Sequence, residues 1–297
     1  MQCLPRTILS SILSYLPKES KRYQLLSCSK KIHIELRGIS MDKMYWKMTV
    51  ETLIGWELPN SIEDWKSVHI HLSGCVLGQV YSASEHGYTD IVRALLKDPK
   101  IHPADYCNRP IIAACANQHT EIVRMLLADP RVDPSICYNQ TMADATKCGN
   151  VEICSLLLAH PRVDPTFMNS HMLIHAVQEK KPQIVELLLR DGRADPRAQN
   201  GESLKRASEM NQVETTKLLL DDSRVDPSID NNRGIQFLSE MGHTEVVKLF
   251  LAHPKVDPTA NNNQALVLAL RNKHWDVVKL LLEDPRVNPL VLDNINQ

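Results

Sequence analysis

The chain has 297 residues, room for two ordinary domains, and its 43% hydrophobic and 23% charged content is that of a folded rather than a disordered protein. Its 34 Lys and Arg nearly cancel 35 Asp and Glu, so no net field favours nucleic acid or an anionic membrane surface as a partner. No apolar run reaches the roughly 20 residues that cross a bilayer, and eight cysteines without paired spacing read as reduced, mostly core thiols.

In chain order, the first segment differs from everything after it. Ile8 to Leu16 is its most apolar stretch. Pro5 before it, Ser10, Ser11 and Ser14 within it, and Lys18 and Lys21 behind it, with no small-residue cleavage site, argue against a secretory signal. Leu4, Ile8, Leu9, Ile12, Leu13 and Leu16 recur at helical spacing and make one apolar face, Arg6 lies opposite, and Pro17 ends the helix. A second pattern, Tyr23, Leu25, Leu26 and Cys28, runs through Ser29, Lys30 and Lys31 to Ile32 and Ile34.

Leu4-Pro5, an Ile-Leu pair, Tyr15-Leu16-Pro17 and Ser29-Lys30-Lys31 resemble the F-box family over residues 4–37. Cys28 stands where that family usually has Val, and Ile32 where it often has Trp. The resemblance implies a docking domain over residues 1–40 that binds a Skp-type adaptor of a cullin-RING ubiquitin ligase through Leu4, Pro5, Ile8, Ile12, Leu13, Leu16 and Pro17. Without the resemblance, the same helices read as a cap over the first repeat, a part that solenoids require at their ends. Residues 41–66, with Trp46, Trp56 and Trp65, read as a packed, helical, aromatic-rich connector rather than a flexible linker.

From Ser67 the chain repeats itself. Rows beginning at Ser67, Asp98, Asp129, His160, Asp191, Asp222 and His253 align at a fixed period of 31 residues without a gap, and an eighth opens at Asp284. Each row carries two short helical patterns. The second is plainest: Ile91, Val92, Leu95 and Leu96 return as Ile122, Val123, Leu126 and Leu127, and later as Val277, Val278, Leu281 and Leu282, a 3.6-residue period. Asp-Pro or His-Pro then denies the helix its next turn. Gly87, Gly149 and Gly242 separate the two helices and suit a left-handed helix end. Asn108, Asn139, Asn232, Asn263 and Asn294 share one column, where Asn either takes a left-handed turn or caps the next helix. Two helices of about nine residues cannot bury their own apolar faces, so rows must stack into an all-α solenoid.

The phrases "ASEHGYTDIVRALL" from Ala83 and "SEMGHTEVVKLFL" from Ser239 resemble the ankyrin-repeat family. The resemblance covers residues 67–297 and implies a helix-turn-helix solenoid that binds proteins on its concave side. Two departures stand out. The family's Thr-Pro-Leu-His opening is replaced by Asn-rich segments such as Asn261 to Leu266, and the period is shorter, which predicts shorter loops. The rows from His160 and Asp191 replace the Gly-His pair by Lys180-Lys181 and Asn211-Gln212, which predicts looser stacking there.

Positions that vary while the framework repeats are the candidate target-binding residues: Ser82, Ala113, Asp144, His175, Arg206, Phe237 and Leu268 in one column, and the pairs that include Met210 and Met241 at the end of each first helix. Exposed Phe237, Met210 and Met241 would make an apolar anchor, although Phe237 equally suits a groove against the next row. A basic column, Lys100, Arg131, Arg162, Arg193, Arg224, Lys255 and Arg286, reads either as a ladder for an acidic ligand or as charges paired within and between loops. The sequence shows no phosphate loop, nucleophile elbow or zinc-spaced cluster, and the pair His69 and His71 reads as surface. The expected protein is a monomeric, non-enzymatic binding module of the cytoplasm or nucleus, without cofactor. It is either the substrate receptor of a ubiquitin ligase, native or hijacked by a virus or parasite, or a scaffold or inhibitor with no ligase link.

Overall fold

Each row folds as two short helices joined by a tight turn, because its apolar residues recur at helical spacing and, in most rows, an Asp-Pro or His-Pro stops the second helix on schedule. The computed structural model describes residues 78–287, with Lys47, Val50, Glu51, Ser67 and Val68. The chain divides into two units, residues 1–70 and 71–297. The F-box-like segment, with Leu4, Pro5, Ile8, Ile12, Leu13, Leu16 and Pro17, lies outside the described residues, as do most of the connector, His69 and His71, and most of the eighth row.

The described residues of the second unit are all helical and turn, without strands. First helices are α1 (Gln79–Glu85), α3 (Asp105–Ala116), α5 (Ile136–Cys148), α7 (Phe167–Gln178), α9 (Ala198–Glu209), α11 (Ile229–Met241) and α13 (Ala260–Arg271). Second helices are α2 (Thr89–Leu95), α4 (Thr120–Leu127), α6 (Val151–Ala159), α8 (Pro182–Asp191), α10 (Val213–Leu220), α12 (Thr244–Ala252) and α14 (Trp275–Leu282). First helices stack on first helices and second on second, which makes a two-layered solenoid.

The core is one continuous seam between the layers. Leu95, Leu126, Leu157, Leu188, Leu219 and Leu281 occupy one buried column, and Phe250 takes the sixth row's place in it. Opposite, Ala83, Ala114, Ala145, Ala176, Ala207 and Ala269 are fully buried, small enough to let neighbouring first helices approach closely. Phe250 is accommodated by a glycine: a Cβ on Gly234 would lie 2.8 Å from its ring. The large-for-Leu exchange and the glycine are therefore one packing solution, since interiors are filled at crystal-like density.

The loops are locked by hydrogen bonds that recur at the repeat period. The Asn column resolves in favour of the left-handed turn: Asn108, Asn139, Ser170, Gly201, Asn232 and Asn263 all have positive φ. In four rows the two residues before it are left-handed as well, as in Asn261, Asn262 and Asn263. Asn and Gly visit this region at the least cost, and a proline, whose φ is locked near −65°, cannot enter it. The turned side chain reaches the next row: Asn108 Nδ2 donates to the Asp133 carbonyl at 2.6 Å, and the Asp257 N–H donates to Asn232 Oδ1 at 2.8 Å.

Most of the basic column is taken up by loop pairing. Arg224 pairs with Asp222 at 2.6 Å and donates to the carbonyls of Gly192 and Ala194 in the row before and of Leu189 near the end of α8. Arg131, Arg193 and Arg286 do the same with Asp129, Asp191 and Asp284. Each guanidinium thus satisfies a carbonyl left open at the end of the second helix one helix pair earlier, and a loop carbonyl beyond it, while the hydrogen-bonded arginine holds its aspartate below the usual carboxylate range.

Candidate target-binding surface

The first-helix column of varying residues faces only partly outward. Ser82 and Ala113 are buried, whereas Asp144, His175, Arg206, Phe237 and Leu268 are half-buried. Arg206 is held by Glu202 at 2.7 Å, and Asp144 accepts a hydrogen bond from Gln140 at 2.9 Å. His175 lies 3.8 Å from Glu179, its buried Nδ1 has no hydrogen-bond partner, and burial pushes its pKa down. Phe237 is less open than the apolar side chains elsewhere on this surface.

The turn between the two helices is more open. Met210 and Met241 are 41% and 50% exposed, and Trp275, at 62%, and Val213 join them. Sequence reasoning passed over Trp275, although a Trp in a column otherwise held by Thr, Val and Pro, as in Thr89, Val151, Pro182 and Thr244, is a legible signal. A second exposed apolar set, Ile136, Phe167, Met168 and Ile229, lies where the loops enter the first helices.

Histidines hold the turns side by side. His119, His243 and His274 place Nε2 2.9–3.2 Å from the carbonyls of Glu85, Glu209 and Glu240 in the preceding row, and since a carbonyl only accepts, Nε2 carries the proton. The ring of His274 lies over Gly242, where a Cβ would come within 2.5 Å of it, and His119 lies over Gly87 in the same way. The glycine of one row therefore makes room for the histidine of the next. Looser stacking at the rows that lack the pair is not what the geometry shows. Gln212 Nε2 donates to the Val177 carbonyl at 2.8 Å in the histidine's place, and Lys181 folds over Gly149. Lys180 and Asn211 adopt the left-handed conformation that glycine takes elsewhere.

Charge divides this edge. In the first three rows the carboxylates of the second helices are engaged: Arg93 pairs with Asp90 at 2.6 Å, and Arg124 with Glu121 at 3.6 Å and Glu152 at 2.9 Å. In the fifth and sixth rows Glu209, Glu214, Glu240 and Glu245 are exposed, and none makes an ion pair among the described residues. Among the described residues no group of His, Cys, Asp or Glu is placed to hold a metal. Burial pushes up the thiol pKa of Cys115 and of Cys154, so both behave as core residues.

Stacked two-helix rows, locked by a recurring set of loop hydrogen bonds and varying on their exposed positions, define a helical-repeat binding protein. Family models described as "Ankyrin repeats (3 copies)" match residues 80–169, 142–231 and 204–292, well over half of the chain. The chain belongs to the ankyrin-repeat family, whose repeats are protein-protein interaction modules. Among solved structures it is similar to the ankyrin repeat domain of Bcl-3, described as a unique member of the IkappaB protein family. That likeness has a TM-score of 0.55 and 19% identity, covers 67% of this chain and 97% of that one, and shows the shared fold. No curated relative matches the chain. No helix among the described residues is long and apolar enough to cross a membrane.

Proposed function

We propose that this chain is the substrate receptor of a Skp/cullin/F-box-type ubiquitin ligase, in which residues 1–40 dock on the adaptor and the ankyrin repeats hold a target protein. The observation that carries the target-binding half is the contrast within the solenoid. Framework columns are committed to hydrogen bonds between rows, while neighbouring exposed positions change from row to row and include Met210, Met241 and Trp275. Such a platform presents side chains without an ordering cost at binding. The adaptor half is supported by the F-box-like residues Leu4, Pro5, Ile8, Ile12, Leu13, Leu16 and Pro17. Ubiquitin transfer is performed by other subunits; this chain supplies proximity.

Co-purification with a Skp-type adaptor tests the reading. Wild type is expected to retain the adaptor, and a Leu13→Asp, Leu16→Asp variant with unchanged circular dichroism to lose it. Failure of both to bind leaves a free-standing ankyrin scaffold.

A further inference from the structure

The turn edge of the fifth to seventh rows combines two properties that are not found together elsewhere on the described surface. It carries three large, open apolar side chains: Met210, Met241 and Trp275. They sit on successive turns of one edge. His243 bonds the carbonyl of Glu209, next to Met210, and His274 covers Gly242, next to Met241, with Trp275 following it. Around the two methionines are the carboxylates of Glu209, Glu214, Glu240 and Glu245, exposed and without ion pairs among the described residues. Asp90, Glu121 and Glu152, which share the column of Glu214 and Glu245, are engaged by Arg93 and Arg124 in the first three rows. Lys180 and Lys181 bound the acidic window on one side, and Arg271 and Lys273 on the other.

Open apolar side chains bordered by exposed carboxylates that make no ion pair among the described residues, with Lys217 and Lys248 one helical turn further along the second helices, favour a partner segment that brings the opposite charge to the carboxylates. We infer that this edge docks a basic amphipathic helix of the target protein, whose apolar residues rest on Met210, Met241 and Trp275 and whose Lys and Arg meet the four glutamates. Stacked helices lie about 8–10 Å apart, and seven residues of an α-helix rise about 10.5 Å. An apolar residue every heptad therefore meets successive turns. Methionine adapts to varied apolar partners, and Trp275 also offers its ring face to a guanidinium. The inference rests on the reading of the solenoid as target-binding and names the chemistry of the segment it takes.

The test uses the full chain and a fluorescein-labelled synthetic peptide of about three heptads, with Leu once per heptad on one face and Lys and Arg flanking it. A peptide of the same composition in scrambled order and one with Glu in place of Lys and Arg serve as controls. Binding is read by fluorescence anisotropy. The amphipathic basic peptide is expected to bind, and Trp275→Ala and the pair Glu214→Gln, Glu245→Gln each to weaken it about ten-fold. Affinity should fall with added salt for wild type, and less steeply for the glutamine pair. Because all of these positions are exposed, circular dichroism should not change. Absence of binding, equal binding of the scrambled or acidic peptide, or undiminished binding by the Trp275 variant would overturn the inference. Adaptor retention by residues 1–40 is a separate readout, so a failed peptide titration and a failed ligase reading remain distinguishable.

Discussion

Two kinds of seam join the rows of this solenoid. At the seams opened by Asp129, Asp191, Asp222 and Asp284, an arginine two residues on is gripped by the aspartate and donates to carbonyls of the preceding loop and of the helix end before it, as Arg193 does to Val163 and Leu158 at 3.2 and 2.7 Å. At the seams opened by His160 and His253 the same column holds Arg162 and Lys255. Arg162 reaches one carbonyl at 3.5 Å and Asp133 at 3.7 Å, and Lys255 reaches Asp226 at 3.7 Å. The apolar core runs unbroken through both kinds. The difference shows that an aspartate serves less as a counter-ion than as a rest that aims the guanidinium: with imidazole in its place, arginine stays but its grip on the helix end is lost.

The comparison can be broken or sharpened in order of effect. Leu188→Ala removes a fully buried core residue and should cost about 2–5 kcal/mol in urea unfolding, with adjacent rows losing hydrogen-exchange protection first. Uniform loss over all rows would contradict the row-wise picture. Arg224→Ala strips three carbonyls of their charged donor and should cost about 2 kcal/mol, whereas Lys255→Ala should cost less than about 0.5 kcal/mol. Equal losses would erase the distinction between seams. His160→Asp places a carboxylate where Arg162 can rest on it and should gain about 1 kcal/mol, the net worth of a hydrogen bond to charge.

The last prediction concerns pH. Burial, with Arg162 nearby, holds the pKa of His160 below its ordinary value of about 6.5. The folded state therefore binds fewer protons than the unfolded one. Stability from this neutral histidine is present above about pH 6.5 and is lost as pH falls toward the depressed folded pKa. The aspartates at the other seams are depressed carboxylates, so their contribution persists down to about pH 4 and fades below it. The difference in melting temperature between His160→Asp and wild type should widen as pH falls from 7 to 5.5; a constant difference would remove histidine protonation from the account.

Much of this was legible residue by residue. The stop after five of the second helices was written in Asp-Pro and His-Pro, and the left-handed turns in Gly87, Gly149 and Gly242. Met210 and Met241 were marked by variation in an otherwise repeating chain. Burial of Ser82 and Ala113 was not legible, because identity alone does not show how far a helix face is turned toward its neighbour. Gln212 standing in for histidine was missed because a column of residue types conceals that an amide N–H can donate to a neighbouring carbonyl of the preceding row, here Val177, as an imidazole N–H does elsewhere.

By itself the sequence determined the period, the two helices per row and the membership of each row in one shared core, since a helix too short to stand alone has no option but to stack. Only the tertiary structure decided which charges are engaged and which are left for a partner. Arg224 and Glu214 look equally solvated in the chain. Stacking brings one against the open carbonyls of the row before and leaves the other exposed beside Val213, because the repeat spacing fixes what each side chain can reach.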